Sequence, residues 1–220
     1  MSRQIAIDGP AGAGKSTIAK AVAAKLGYIY VDTGAMYRAI GLHLMREGVN
    51  TDDEAEVNAH LASADVRLAM EDGMQKVYLN GEDVTTAIRT EEAGMMASKT
   101  SAYGKVREKL VSLQQKIAAD CSVVMDGRDI GTVVLPHADL KIFLTASVEE
   151  RARRRFNELK KKGQQADFQA IMEDIAKRDY QDTHREISPL RQADDAILLD
   201  TSDMGIEEVT AKVIALAENK

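Results

Sequence analysis

The sequence predicts an α/β protein: a five-stranded parallel sheet with helices on both faces, carrying a small inserted antiparallel β-meander and helical subdomain. Three observations predict it. Five short apolar, β-branched runs each end at a turn or an acidic residue, as buried parallel strands do. Helical periodicities lie between them. A stretch of roughly 90 residues separates the second run from the third, too long for a simple crossover.

The first strand is Gln4–Asp8, followed by a helix at Lys15–Leu26 and a second strand at Tyr28–Asp32. Within the long gap Val66, Leu68 and Met70 alternate, as do Val77 and Leu79, with Asp72-Gly73 and Asn80-Gly81 as turn signals. A helix over Tyr103–Ala119 turns Val106, Leu110, Leu113 and Ile117 inward and leads to the third strand, Ser122–Asp126. Leu140–Leu144 is the fourth, and Val148, Ala152, Phe156 and Leu159 mark one face of the next helix. A long helix over Asp167–Ile187 precedes the fifth strand, Ala196–Asp200. Ile206, Val209, Val213 and Leu216 line a closing helix. This divides the chain into a core of residues 1–38 and 120–220 and an insertion of residues 39–119.

Composition narrows the function. At 45% hydrophobic and 29% charged residues, disorder is excluded as the main character. Lys and Arg number 29 against 35 Asp and Glu, a net charge of −6 that speaks against a nucleic-acid or membrane partner. Cys121 is the only cysteine, read as a packing residue. His43, His60, His137 and His184 share no ligand spacing, so neither a disulfide framework nor a structural zinc is expected. The ten methionines read as core filler. No apolar run reaches the roughly 18 residues of a membrane span, and no signal segment precedes the first strand. A soluble, cytoplasmic monomer is the expectation.

The chemistry starts at Gly9-Pro10-Ala11-Gly12-Ala13-Gly14-Lys15-Ser16, continued by Thr17, which fits G-x-x-x-x-G-K-[ST] without mismatch. It lies between a predicted strand and a predicted helix, so backbone N–H groups can cradle phosphates at the positive helix end. Lys15, expected to meet solvent and phosphate rather than core, would reach the β- and γ-phosphates of ATP, and the Ser16 hydroxyl would bind Mg²⁺. A ligand-free glycine turn is the competing reading, disfavoured by the complete motif in its proper context. The chain lacks the N/T-K-x-D element of GTPases and is too short for a large ATPase. A small P-loop kinase remains, with the insertion holding the acceptor.

Two segments, from Asp32 to Arg38 and from Asp126 to Thr132, follow strands where open α/β sheets bind ligands. Their Arg38 and Arg128 read as forks for an acceptor phosphate, or else as surface ion pairs. Asp126 either orients Mg²⁺ through water or caps the next turn. On the long helix, the stripe Phe168, Ile171, Ile175 continues as Arg178, Asp182, Arg185, turning charge toward the cleft. The alternative is a solvated Arg178–Asp182 pair. Arg151, Arg153, Arg154, Arg155, Lys160, Lys161 and Lys162 form either a solvated helix face or a nucleic-acid patch, the latter with aromatic interleaving limited to Phe156 on the apolar face.

The loop Asp8-Gly9-Pro10, the segment Asp32-Thr33-Gly34-Ala35-Met36-Tyr37-Arg38, the segment Asp126-Gly127-Arg128-Asp129-Ile130-Gly131-Thr132, and Arg178-Asp179-Tyr180-Gln181-Asp182-Thr183-His184-Arg185 before Ser188-Pro189-Leu190 together resemble the bacterial cytidylate kinase family. These are nucleoside monophosphate kinases of the adenylate-kinase-like P-loop group. The likeness covers essentially the whole chain in the same order, insertion included. It implies Mg²⁺-dependent phosphorylation of CMP and dCMP by ATP, an insertion that binds the monophosphate, and a short lid at about 153–167. By resemblance Thr33, Arg38 and Arg128 hold the CMP phosphate, and Ser98, Arg107 and Asp129 read the cytosine edge. Arg178 and Asp182 contact the ribose, and Arg185 the transferring phosphates. Lys15, Arg128 and Arg185 are then the catalytic cations. Another acceptor, such as UMP or shikimate, and a non-catalytic nucleotide switch are the rival readings.

Overall fold

A computed structural model describes residues 2–71 and 74–219. In chain order the elements are β1 (Gln4–Asp8), α1 (Lys15–Leu26), β2 (Ile29–Asp32), α2 (Thr33–Arg46), α3 (Glu54–His60), β3 (Val66–Glu71), β4 (Met74–Leu79), β5 (Glu82–Asp83), α4 (Glu91–Thr100), α5 (Gly104–Asp120), β6 (Val123–Gly127), β7 (Leu140–Thr145), α6 (Val148–Lys161), α7 (Phe168–His184), β8 (Ile197–Asp200) and α8 (Ile206–Glu218). One sheet runs β2-β6-β1-β7-β8 and the other β3-β4-β5. In the first, β1 pairs in parallel with β6 and β7, and β7 with β8. The second is antiparallel.

Residues 1–30 with 120–220 form one compact unit and residues 31–119 another, the change falling within β2. Each has its own apolar core. In the first, Ile5, Ile7, Val124, Leu140, Ile142 and Leu144 of the strands meet Ile18 and Val22 of α1 and Val209 and Val213 of α8. Strands covered on both faces have no solvent side, which is why their sequences are apolar without alternation. In the second, Met36, Ile40 and Leu44 of α2 pack with Val66, Val77 and Leu79 of the meander and Val106 and Leu110 of α5.

β1 matches its sequence expectation residue for residue, β2, β7 and β8 shift by one residue at one end, and β6 moves one residue along at both ends. β2 starts at Ile29 because Tyr28 still belongs to the helix cap: its N–H bonds the Ala23 carbonyl at 2.9 Å, past a left-handed Gly27. α7 stops at His184, short of the expected Ile187. There the Leu190 N–H returns to the Asp182 carbonyl (2.7 Å), and Ser188, just before Pro189, is left-handed at φ 51°. Asn80 (φ 51°) and Gly81 (φ 85°) make the expected hairpin turn; the Asp72-Gly73 turn lies outside the described residues.

α2, α3 and α4 were not individually expected. Their caps are conventional: Asp32 accepts from Ala35 N (2.9 Å), Asp53 from Ala55 N (2.9 Å) and Thr90 from Ala93 N (3.2 Å). Ile206 leaves the expected buried face and is 59% exposed, because Met204 from the preceding turn packs against the core instead. The methionines are only partly core filler. Met36 and Met125 are buried, whereas Met45, Met70, Met74 and Met95 are exposed at the hairpin end and on outer helix faces. Cys121 is half-buried. Among the described residues no helix is long and apolar enough to cross a membrane.

Candidate active site

The phosphate loop joins β1 to α1, as the motif requires. Gly9 has φ 148°, and a Cβ there would stand 1.9 Å from the Leu144 carbonyl oxygen, so only glycine fits against β7. Gly14 (φ 92°) is the left-handed N-cap of α1. Lys15 does not meet solvent as expected. It is 6% exposed and its Nζ donates to the Pro10 carbonyl at 2.8 Å, because the loop curls over the ammonium. Burial and then the positive charge of Arg128 push its pKa down to about 7, against the pull of Asp126, Asp182 and Asp8.

Ser16 Oγ donates to Asp126 Oδ2 at 2.8 Å, and Tyr30 OH donates to Asp126 Oδ1 at 2.8 Å. The carboxylate, one residue before the end of β6, is therefore buried and aimed at the P-loop serine. An alcohol and a carboxylate oxygen side by side are hard donors that suit Mg²⁺, which keeps several waters and takes phosphate oxygens as ligands.

Two arginines of the basic run brace the loop from behind. Arg151 is buried. Its Nε donates to the Ala146 carbonyl (2.9 Å), and Nη1 to the Ala11 carbonyl (3.0 Å). Nη1 and Nη2 also grip the Asp179 carboxylate at 3.0 and 2.6 Å. Arg154 donates to the Thr201 carbonyl (2.7 Å) and reaches the Ala13 carbonyl at 3.5 Å. Two loop carbonyls are thus held toward α6. Further along the helix surface Arg153 pairs with Glu149 and Glu150, and Arg155 and Lys162 with Glu158, while Lys160 lies over the Phe156 ring at 4.7 Å.

Asp8 was quoted only as part of a motif, yet it organises the neighbouring segment. Its carboxylate accepts the Ile130 and Gly131 N–H groups, both at 2.7 Å, and so pins the turn that follows β6. Burial raises its pKa to about 6 despite those two bonds. That turn presents Arg128 and Asp129. Arg128 Nε donates to Asp182 Oδ2 at 2.7 Å, and Arg185 Nη2 lies 3.8 Å from Asp129 Oδ1. Arg185 Nε is held by the Ser188 carbonyl at 2.6 Å, which explains the left-handed serine. On α7 the stripe is as expected, Phe168, Ile171, Ile175 and Arg178 being half-buried. Asp182 is the most enclosed residue of the helix and faces Arg128, not solvent. Burial would push its carboxyl up, but Arg128, Arg178 and Arg185 hold it below the ordinary carboxylate value.

The inserted unit carries the other expected residues. Thr33 is buried at the first turn of α2, behind an Asp32 that also pairs with Arg89 (3.1 Å). Arg38 is half-buried further along α2. Arg107 is buried, donates to the Ser101 carbonyl (3.3 Å) and lies 5.7 Å from the Tyr37 ring centroid. Ser101 Oγ in turn bonds the carbonyl of half-buried Ser98 (2.8 Å), so Ser98 and Arg107 are linked through one residue.

A glycine loop between a central parallel strand and its helix, with lysine, serine and a neighbouring strand-end acid, defines the class of P-loop phosphotransferases. The chain belongs to the cytidylate kinase family, whose model matches residues 5–219. The cytidylate kinase of Caldicellulosiruptor bescii is 54% identical over 212 residues, 96% of this chain and 94% of that protein. That of Bacillus subtilis (strain 168) is 51% identical over 216 residues, 98% and 96% of the two chains. Of solved structures, a gluconokinase from Sinorhizobium meliloti 1021 aligns at TM-score 0.51 and 15% identity over 99% of this chain and 94% of that one, a likeness of fold alone.

Proposed function

We propose that the protein transfers the γ-phosphoryl group of ATP to CMP or dCMP, yielding ADP and the corresponding diphosphate. The observation that carries this is the complete P-loop over the Ser16–Asp126 pair, in a chain of the cytidylate kinase family along nearly its whole length. An oxygen of the CMP phosphate bonds to the γ-phosphorus as the bond from that phosphorus to the β-bridging oxygen breaks. The attacking oxygen is already anionic, so no general base is required. The work left to the protein is positioning and charge neutralisation.

P-loop residues Gly9 to Thr17 bind the ATP phosphates, with Lys15 on the β- and γ-groups. Ser16, and Asp126 through water, would hold Mg²⁺, which when bound offsets charge on the phosphate oxygens. On the inserted unit, Thr33 and Arg38 bind the acceptor phosphate, and Ser98 and Arg107 read the base. On the other, Arg128 binds the phosphate, Asp129 the base, Arg178 and Asp182 the sugar, and Arg185 the transferring group. Residues 153–167 act as a lid. The expected setting is the cytoplasm, as a monomer.

The test is a panel of CMP, dCMP, UMP and shikimate with Mg²⁺ and ATP, read by coupled ADP release. CMP and dCMP should turn over far faster than the others. Turnover confined to shikimate, or ADP release independent of acceptor, would refute the reading.

A further inference from the structure

Gly94 sits inside α4, buried, in ordinary helical backbone, where nothing about the chain's path requires glycine and where glycine is the poorest helix former after proline. What it meets is Arg38. A Cβ on Gly94 would stand 2.9 Å from Arg38 Nη1 and 3.3 Å from both Cζ and Nη2. The guanidinium thus lies against the bare backbone of α4. Its Nη1 donates toward the carbonyls of Ile88 (3.5 Å) and Thr90 (3.3 Å), and the same Thr90 carbonyl accepts the Gly94 N–H at 3.3 Å. One turn further along this face of α4 is Ser98.

We propose that Gly94 is a positioning residue for substrate binding: its lack of a side chain seats the Arg38 guanidinium at the orientation that receives the acceptor phosphate. The proposal rests on Arg38 contacting that phosphate. Gly41, three residues beyond Arg38 on α2, supplies the internal contrast. A Cβ there would meet Met96 Cβ at 2.9 Å, Ala97 N at 3.2 Å and the Ala93 carbonyl at 3.3 Å, which are parts of α4 that cannot swing aside. At Gly94 the obstacle is the tip of a long, flexible side chain. A methyl group at Gly41 therefore strains the helix crossing, whereas a methyl group at Gly94 displaces the arginine and leaves the fold intact.

The experiment measures CMP and ATP affinity by calorimetry, with melting curves, for Gly94→Ala, Gly41→Ala, Arg38→Ala and the double variant Gly94→Ala/Arg38→Ala. Gly94→Ala should melt at or above the parent temperature, keep its ATP affinity, and bind CMP at least about tenfold more weakly, as for a lost charge-assisted hydrogen bond. The double variant should bind CMP no worse than Arg38→Ala alone, because Gly94 acts through that arginine. Gly41→Ala should melt lower. If Arg38→Ala weakens CMP but Gly94→Ala does not, the seating proposal is wrong while the phosphate reading stands. If Arg38→Ala binds CMP normally, both fall. A lowered melting temperature for Gly94→Ala, or additive losses in the double variant, would also overturn the proposal.

Discussion

Replacing Asp182 with alanine separates two duties that the structure superimposes on one carboxylate. The side chain is 8% exposed and takes the Arg128 Nε hydrogen bond at 2.7 Å, while the Arg128 side chain is 19% exposed. Removing one member of a fully buried pair costs about 3–5 kcal/mol. Arg128 keeps some contact with water, so the lower end, about 3 kcal/mol, applies here. For a chain of this size that corresponds to a melting temperature lower by about 6–12 °C. The stabilisation should show the matching pH dependence. Because the folded pKa lies below the ordinary 3.8, it is fully present above that pH and is lost as the pH falls through the folded value. The variant should accordingly show a flatter acid limb.

Catalysis supplies the sharper reading. If Arg128 binds the acceptor phosphate as proposed, freeing it from Asp182 should cost about 1.5–3 kcal/mol or roughly 10- to 150-fold in kcat/KM. That loss should fall equally on CMP and dCMP. If Asp182 also accepts from the 2′-hydroxyl, CMP suffers a second loss that dCMP escapes. Coupled ADP release with both acceptors at saturating ATP measures the two together. Asp182→Asn, which retains one acceptor oxygen for Arg128, should recover most of the common loss. Unchanged kcat/KM for dCMP with an unchanged melting curve would refute the idea that Asp182 orients Arg128.

Other expectations follow from the same geometry. Lys15, pushed down to about pKa 7 by burial and then by Arg128, should be drawn to its protonated form by bound phosphates, so ATP binding at pH 8 should take up protons. Calorimetry in buffers of different ionisation enthalpy reads this directly, with Lys15→Met as the control that takes up none; zero uptake by the parent protein refutes the buried-ammonium picture. Arg151→Ala removes partners from Ala11, Ala146 and Asp179 at once, and should destabilise by about 3–5 kcal/mol and raise KM for ATP but not for CMP. A parental melting curve and KM would show that the brace is dispensable. Gly9→Ala drives a methyl group into the Leu144 carbonyl and should yield no folded protein, whereas Gly27→Ala, with nothing within 4 Å, should cost only the left-handed penalty of about 1–2 kcal/mol in a denaturant titration.

How far the sequence reads ahead of the structure depends on the range of the interaction. The P-loop and its flanking elements are local: the strand, the glycines and the helix start are contiguous, and α1 begins and ends where its pattern says. The inward charge stripe on α7 is also local, a matter of period. What escaped were contacts across long separations. Asp8 reaches Ile130 and Gly131, 122 and 123 residues away, and Arg151 reaches Ala11, 140 residues away. No periodicity encodes such pairs. The helices of the insertion escaped for another reason. α2 starts directly after β2 with no loop between, so its capping Asp32 reads equally well as a strand end, although Met36, Ile40 and Leu44 carry the helical spacing.

That distinction also sorts the arginines, which look alike in the sequence. Besides the Asp179 carboxylate and Ala146 carbonyl for Arg151, and Glu150 and the Thr201 carbonyl for Arg154, both arginines reach backbone carbonyls of the loop itself, Ala11 and Ala13, acceptors that are neutral and fixed. A phosphate cannot replace them without dismantling the P-loop, so these two side chains hold the cradle in shape. Arg128 ends on a carboxylate, and Arg185 has one within 3.8 Å as well as the Ser188 carbonyl. A guanidinium has five N–H donors and a carboxylate uses at most two of them, so a phosphate can join such a pair or compete with it. Contact with a carbonyl of the P-loop therefore sets Arg151 and Arg154 apart from Arg128 and Arg185. By that criterion the basic run splits by helix face, Arg151 and Arg154 lying three residues apart. Arg151 and Arg154 hold the loop, whereas Arg153, Arg155 and Lys162 pair with glutamates of their own helix and Lys160 lies over the Phe156 ring, so these are the cations that the proposed lid would bring to ATP.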